Sequence, residues 1–302
     1  MLYVFGHKNP DSDAVCSAIV AADWLCHLGK HAMPFRLGEI NAETHYILNQ
    51  AGVAAPALLE AGVANKDVWL VDFTDTEQGP ASLPQSNVVG IIDHHRLGTL
   101  TTRNPPDAWI RCVGSSATLL WQIVTTESDM RFTSSQSVLL LGAILSDTVS
   151  LTSPTTTDRD RQAIEALFPL TRLDRVRFCR ELLEAKTNIS GLTAKELINK
   201  DAKRYRIGGR EILLSQLELN AMSQLDGLMP ALMAEMDQQC RRDGLDAVIL
   251  MATDIVRKDT TLWFSKNSVS GIPPQPVRMP GVLSRKKEVL PWLTERLANG
   301  KG

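Results

Sequence analysis

The chain has 302 residues, of which 44% are apolar, and 32 Lys+Arg against 34 Asp+Glu leave a net charge of −2. At roughly 100–200 residues per domain this is material for about two domains, each able to bury a core of its own, and it excludes disorder, collagen and small disulfide scaffolds. The longest apolar runs, Val138 to Leu141 and Ala143 to Leu145 around Gly142, fall well short of the ~18 residues of a membrane span.

In chain order, Leu2–Phe5, Val68–Val71 and Val88–Ile92 are short runs rich in Val, Ile and Leu and bounded by turn-forming or charged residues, which predicts strands. Ala14–Leu28 carries apolar residues at helical spacing. Ser116–Val124 and Ser135–Leu145 begin with Ser positions suited to N-capping, and further helices are expected over Asp158–Phe168 and Leu173–Ala185. Strands alternating with helices predict a mainly parallel sheet. After Lys186 the stretch Thr-Asn-Ile-Ser-Gly has turn chemistry and reads as a linker. Beyond it, Ile212–Leu219, Ala247–Ala252 and Thr260–Phe264 are expected strands. Helices are expected from about Gly227 to Arg242 and from Val289 to Leu297, with a structured loop over the Pro-rich Ile272–Pro280.

The near-neutral total hides an uneven distribution. Residues 1–189 hold 15 Lys+Arg and 21 Asp+Glu, net −6, whereas residues 190–302 hold 17 and 13, net +4, and all six His lie in the acidic part. The five Cys are widely spread and contain no CxxC, so buried free thiols are expected rather than a disulfide framework or a cysteine zinc site. The start, Met1 to Lys8, lacks a basic leader, a long apolar stretch and a small-residue cleavage site, and a cytoplasmic protein is expected.

Acidic and His residues follow three of the strands: His7, Asp11 and Asp13 after the first, Asp72 after the second, Asp93-His94-His95 after the third. Parallel strands place their C-terminal ends on one edge, so these residues are expected to converge, although Asp11 or Asp13 would serve equally as a helix cap. Asp147, at the end of a nearly all-apolar helix, needs compensation for its charge. The set His7, Asp11, Asp13, Asp72, His94 and Asp147 suits Mn²⁺ or Mg²⁺ better than zinc, without excluding Zn²⁺ or Co²⁺. Six ligands point to two cations ~3.5–4 Å apart, with Asp72 as the bridge, an arrangement used for hydrolytic attack at phosphorus. Ser284-Arg285-Lys286-Lys287-Glu288 is a solvated charge cluster or, beside a dimetal site, a clamp for phosphate, with Lys203 a weaker candidate of the same kind. Three consecutive cations in a chain of this net charge are a poor footprint for nucleic acid.

With GHKNPDSDA at 6–14, VD at 71–72, DHH at 93–95, SD at 146–147 and SRKKE at 284–288, the chain resembles the manganese-dependent inorganic pyrophosphatases of the DHH phosphoesterases. VGSSAT at 113–118, SPTTTD at 153–158, EAKTNIS at 184–190 and DAKRY at 201–205 extend the likeness over essentially the whole chain. The resemblance implies an α/β protein of two domains. Residues 1–188 would be a DHH metal-binding domain, and 189–302 a smaller DHHA2-type domain with a mixed sheet that clamps substrate, the active site lying in the cleft between them. It implies one Mn²⁺ held by His7, Asp11 and Asp72 and another by Asp13, Asp72, His94 and Asp147. His95, Lys203, Arg285 and Lys286 would contact diphosphate, additional Mg²⁺ would arrive with the substrate, and homodimers would form through the first domain.

The reaction expected from these residues is hydrolysis of diphosphate to two orthophosphates by a metal-bridging hydroxide, with no nucleic-acid or membrane partner. A DHH-type exopolyphosphatase or a phosphodiesterase acting on short oligonucleotides or cyclic dinucleotides is the rival reading, and a non-catalytic metal or anion sensor a third. The nuclease branch usually carries a GGGH-type motif, which Gly208-Gly209-Arg210 is not. One departure stands out: similar proteins usually have His-Asn after the bridging Asp, but here Phe73-Thr74-Asp75 follows Asp72. The hydrogen bonding around that carboxylate is therefore expected to differ, with Asp75 as a substitute acceptor. About a dozen residues separate Asp75 from Val88, which leaves no room for the nucleotide-binding insert of some relatives and predicts no adenine-nucleotide control.

Overall fold

The computed structural model describes residues 1–265 and 276–299. It divides the chain into two compact units, Met1–Lys186 and Thr187–Gly302. In the first, the elements are β1 (Leu2–Phe5), α1 (Ser12–His27), β2 (Ala32–Arg36), α2 (Ala42–Ala51), β3 (Ala57–Leu58), β4 (Asp67–Val71), β5 (Asn87–Asp93) and β6 (Asp107–Ile110). They are followed by α3 (Ser116–Glu127), α4 (Ser134–Asp147), α5 (Asp158–Leu167) and α6 (Arg175–Thr187), whose last residue crosses into the second unit.

The six strands form one parallel sheet in the order β3-β2-β1-β4-β5-β6. Side chains alternate across it. Leu2, Val4, Trp69, Val71 and Ile92 join the helices in one core, while Phe5, Val68, Leu70 and Ile91 meet Val63, Phe73 and Leu83 on the other face. The register between β4 and β5 slips at Val68/Trp69, and Gly90 sits at the slip. A Cβ on Gly90 would run into the ring of Trp69, so the missing side chain is what lets the indole lie across β5. α1 is the central helix: Ala14 to Ala22, Trp24 and Leu25 are all buried.

Helix starts differ slightly from the sequence reading. Ser115, not Ser116, caps α3 by accepting from Ala117 N–H, and Thr133 caps α4 in a reciprocal pair with Gln136. The capping task thus leaves the Ser116 hydroxyl available for the site.

The second unit contains α7 (Ala194–Asn199), β7 (Ala202–Ile207), β8 (Arg210–Leu219), α8 (Met229–Asp243), β9 (Ala247–Asp254), β10 (Asp259–Phe264), β11 (Val277–Pro280), a single π-helical turn (Arg285–Val289) and α9 (Leu290–Asn299). Its sheet runs β11-β10-β9-β8-β7, with β8 and β9 parallel and the other pairs antiparallel. The central strands are buried on both faces: Leu213, Leu217, Val248 and Leu250 pack with Leu232 and Met236 of α8, and Ile212, Leu214, Ile249 and Met251 with Leu293 and Leu297 of α9.

Two expectations are corrected. Val277–Pro280 is an antiparallel edge strand rather than loop, its Pro280 at the strand end, a position where sheets tolerate proline; residues 272–275 of the proposed loop lie outside the described residues. Only Cys16 and Cys240 are buried free thiols, whereas Cys26 and Cys112 are exposed and Cys179, packed against the margin of the core, is intermediate. Among the described residues no helix is long and apolar enough to cross a membrane.

Candidate metal centre

The order β3-β2-β1-β4-β5-β6 reverses direction between β1 and β4, and the crevice beyond the carboxyl ends of strands at such a point is where open α/β sheets bind ligands. The chain leaves β1 through His7, β4 through Asp72 and β5 through His94 and His95, so three strand ends deliver their polar residues to one place. Gly6 makes the first turn possible. A Cβ there would lie 2.5 Å from Ala14 Cβ and 2.8 Å from Ala14 Cα, so α1 packs directly on the end of β1.

Each of these side chains is oriented by a specific partner. His7 places Nδ1 2.7 Å from Lys8 O and Nε2 3.3 Å from Asp72 Oδ2 and 3.5 Å from Asp11 Oδ2. Asp11 caps α1 through Oδ1, accepting from Ala14 N–H at 3.0 Å, while its other oxygen faces His7, so the cap does not use the oxygen turned toward the cluster. Asp13, in the first turn of α1, accepts from Ser17 Oγ and from the Ser116 and Ala117 N–H groups, at 2.9, 2.6 and 2.9 Å. The amino end of α3 thereby points at an anion. Asp72 has a left-handed backbone, φ 66°, a conformation that Asp and Asn tolerate better than other side chains, and its Oδ1 accepts from Ser116 Oγ at 2.9 Å.

His94 repeats the arrangement of His7. Its Nδ1 lies 3.1 Å from Val113 O, and its Nε2 lies 3.3 Å from Asp72 Oδ1, 3.4 Å from Asp147 Oδ2 and 4.0 Å from Asp13 Oδ2. His95 is held by Asp93, whose Oδ1 accepts from the His95 N–H at 3.0 Å and from Nδ1 at 2.8 Å. Three groups have donor atoms close enough to share an ion: His7, Asp11 and Asp72; Asp13, His94 and Asp147; and Asp72, His94 and His95. All six residues named above as metal ligands occur in them.

The charges explain why such a cluster calls for a cation. Burial, then the Asp72 carboxylate, pushes Asp13 up to about 7 despite His94 and the Ser116 N–H. Burial also works against ionised Asp72, but the imidazoles of His95, His7 and His94 outweigh it and hold the group well below the usual range. A backbone carbonyl only accepts, so Nδ1 of both His7 and His94 carries a proton, and their Nε2 lone pairs face carboxylates. That is repulsive unless a proton or a metal lies between. Metal-bound His commonly gives its other N–H to a carbonyl in this way. The buried Asp72 Oδ2 also lacks a hydrogen-bond donor of ordinary geometry. Oxygen and imidazole donors in these numbers fit Mn²⁺-class cations.

Lys203, Arg285 and Lys286 belong to the second unit. Arg285 is buried, and its Nη1 and Nη2 donate to Asp201 O and Asp201 Oδ1, each at 2.8 Å. Asp201 stands two residues before Lys203 on β7, so Arg285 is tied to the start of the strand that bears the half-buried Lys203. Lys286 is exposed on the π-helical turn, which Ser284 caps through Lys287 N–H.

Sequence reasoning missed Ser116, which bonds two candidate ligands, and Asp93, which aims His95. The Ser-Ser pair at a helix start and the acidic residue opening the DHH run were the available signals. Phe73 packs near Phe5, with ring centroids 6.3 Å apart, and Thr74 accepts from Gly98 N–H at 3.0 Å. Asp75 accepts from Thr99 Oγ1 at 2.6 Å, so its carboxylate is engaged on that loop.

Two family models match the chain: the DHH family, N-terminal domain, over residues 1–145, and the DHHA2 domain over residues 180–296. A Methanocaldococcus jannaschii protein named manganese-dependent inorganic pyrophosphatase is 33% identical over 99% of this chain and 100% of its own length. A Clostridium acetobutylicum protein named "Probable manganese-dependent inorganic pyrophosphatase" is 32% identical over 98% of each chain. The crystal structure of a Methanococcus jannaschii protein described as a "putative family II inorganic pyrophosphatase" superposes with a TM-score of 0.89 at 32% identity, covering 99% of this chain and 100% of that one. An exopolyphosphatase-related protein from Bacteroides fragilis shares the fold at 13% identity and a TM-score of 0.52. With identity above 30% along nearly its entire length and the same two domains in the same order, the chain belongs to the manganese-dependent inorganic pyrophosphatase family.

Proposed function

We propose that the protein hydrolyses inorganic diphosphate to two orthophosphates at a pair of divalent cations. The observation that carries this reading is the position of Asp72 between two imidazoles: Oδ2 lies 3.3 Å from His7 Nε2 and Oδ1 3.3 Å from His94 Nε2. A carboxylate whose two oxygens face different imidazoles is placed so that it would bridge two ions. On this reading His7, Asp11 and Asp72 hold one ion, and Asp13, Asp72, His94 and Asp147 hold the other. Bound divalent cations supply Lewis acidity and lower the pKa of coordinated water.

The chain's own groups do the rest. Asp93 accepts from His95 Nδ1 and so orients the ring, and in the imidazolium form Nε2 would carry a proton to donate or transfer to a phosphate oxygen. Lys203, Arg285 and Lys286 neutralise diphosphate and offset charge on the leaving phosphate, Arg285 as a fixed guanidinium and Lys286 as a point charge. No covalent enzyme intermediate is required. Mn²⁺ is the metal this reading expects, with Mg²⁺ accompanying the substrate, a homodimer formed through the first unit, and a cytoplasmic location.

Phosphate release from diphosphate, tripolyphosphate, long polyphosphate and a dinucleotide, after loading with Mn²⁺, Co²⁺, Zn²⁺ or Mg²⁺, tests the reading. Diphosphate with Mn²⁺ should be turned over fastest, and preference for a dinucleotide would overturn it. Sedimentation at micromolar concentration tests the dimer. Lys286→Ala should slow diphosphate turnover while two Mn²⁺ remain bound.

A further inference from the structure

His7, Asp11, Asp13, Asp72 and His94 are each oriented by a hydrogen bond made by their own side chain. Asp147, the last residue of α4, faces His94 Nε2 across 3.4 Å and is held in addition through the residues on either side of it. On one side is Ser146, which is buried and gripped by a charged pair. The Ser146 hydroxyl donates to Glu43 Oε2 at 2.9 Å and accepts from Lys186 Nζ at 3.1 Å, and the Ser146 carbonyl accepts from the same Nζ at 3.1 Å. Glu43 Oε2 and Lys186 Nζ lie 3.8 Å apart, with side chains 7% and 15% exposed.

On the other side the chain reverses through Val149, Ser150 and Leu151, three consecutive non-glycine residues with φ of 47°, 51° and 65°. This left-handed turn is strained and persists only because its surroundings determine it. Ser150 N–H donates to Leu145 O at 2.8 Å, Leu151 N–H to Thr148 Oγ1 at 3.1 Å, and Ser153 N–H to Thr148 O at 2.8 Å. Asp147 is left with little slack in either direction.

A charged pair taken out of water is an expensive way to hold two helices together, since an apolar pair of similar volume would do so as well. What an apolar pair would not do is bond both polar atoms of Ser146. The lysine also lies at the carboxyl end of α4, where a cation suits the helix dipole. Its partner Glu43 is in the first turn of α2.

We propose that Lys186 and Glu43 are positioning residues for one of the two metal sites. They set the Asp147 carboxylate for the ion shared by Asp13, Asp72, His94 and Asp147, and they do not act on the ion held by His7, Asp11 and Asp72. The inference rests on the two ligand sets given under Proposed function. A tether that merely secured α6 would lower stability and leave both metal sites as they were.

The test is a Mn²⁺ titration of the full-length protein after chelator treatment, read by calorimetry and by the electron paramagnetic resonance signal of free Mn²⁺. Wild type should bind two equivalents. Lys186→Met should keep one within about twofold and weaken the other by about 10–100-fold, the range found when a group that orients a ligand is removed. Lys186→Arg, which can donate to both Ser146 atoms, should recover most of the loss. Glu43→Gln should weaken the same equivalent, and it decides the matter if Lys186→Met does not fold. Variants that bind both equivalents as wild type does, or that lose both alike, overturn the inference even if they melt earlier. Wild type binding other than two Mn²⁺ overturns the dimetal reading itself, whatever the variants do.

Discussion

Arg285 is a buried cation whose two terminal nitrogens both end on Asp201, one on the backbone carbonyl and one on the carboxylate, at 2.8 Å each. Asp201→Ala removes the carboxylate and leaves the carbonyl. The lost charge-assisted bond is worth about 1–2 kcal/mol, at the low end because Asp201 is half-exposed. A loosened guanidinium should raise KM for diphosphate by about 5–30-fold, by conversion of that energy, with Mn²⁺ affinity unchanged. Steady-state kinetics beside a metal titration checks this, and a change in metal affinity would count against it.

Asp72→Asn tests the bridge with little disturbance of the backbone, because Asn tolerates the left-handed conformation that Asp72 adopts at φ 66°. Loss of the charge should cut activity by at least about 10³-fold, about 4 kcal/mol of transition-state stabilisation, and weaken Mn²⁺ binding. Near-wild-type activity in the folded variant would exclude the bridging role.

In the metal-free protein Asp13, ordinarily near 3.8, is pushed up to about 7 by burial and then by Asp72. The folded state therefore keeps a proton that the unfolded state has released. The stabilisation is complete below pH 3.8 and is lost as the pH rises through about 7. Asp72, held below its ordinary value, acts in the opposite sense, losing its stabilisation only as the pH falls further. Melting curves should show the metal-free wild type losing stability from pH ~4 to ~7, with a shallower slope in Asp13→Asn. Added Mn²⁺ should stabilise more as the pH rises, because the ion takes the place of the proton. An unchanged slope in Asp13→Asn would exclude this origin.

Gly6→Ala forces a methyl group against Ala14, whose Cβ, Cα and O would lie 2.5, 2.8 and 2.9 Å away. Two of these atoms are backbone, so α1 must move off β1, at a cost of about 1–3 kcal/mol. His7 follows Gly6 directly, so Mn²⁺ affinity should fall as well. Adding Ala14→Gly removes only the Cβ contact and should restore part of the stability in chemical denaturation.

The strands that matter most were legible locally. β1, β4 and β5 are buried on both faces and therefore read as unbroken apolar runs ending in polar residues. β2, with Pro34 and Arg36, the exposed edge strand β6 and the basic strand β7 carry no such run and were missed. The short helix α7 and the polar α2 were missed too. What sequence alone determined was the set of candidate ligands and its place at the ends of strands and helices, because residue type and local periodicity encode both. Only the tertiary structure decided which ligands face one another, that Ser116 bonds Asp72, that Lys186 grips Ser146 and that Asp201 holds Arg285. Those pairs are 40 to 84 residues apart in the chain. Their meeting depends on strand order and helix packing, which no local pattern records.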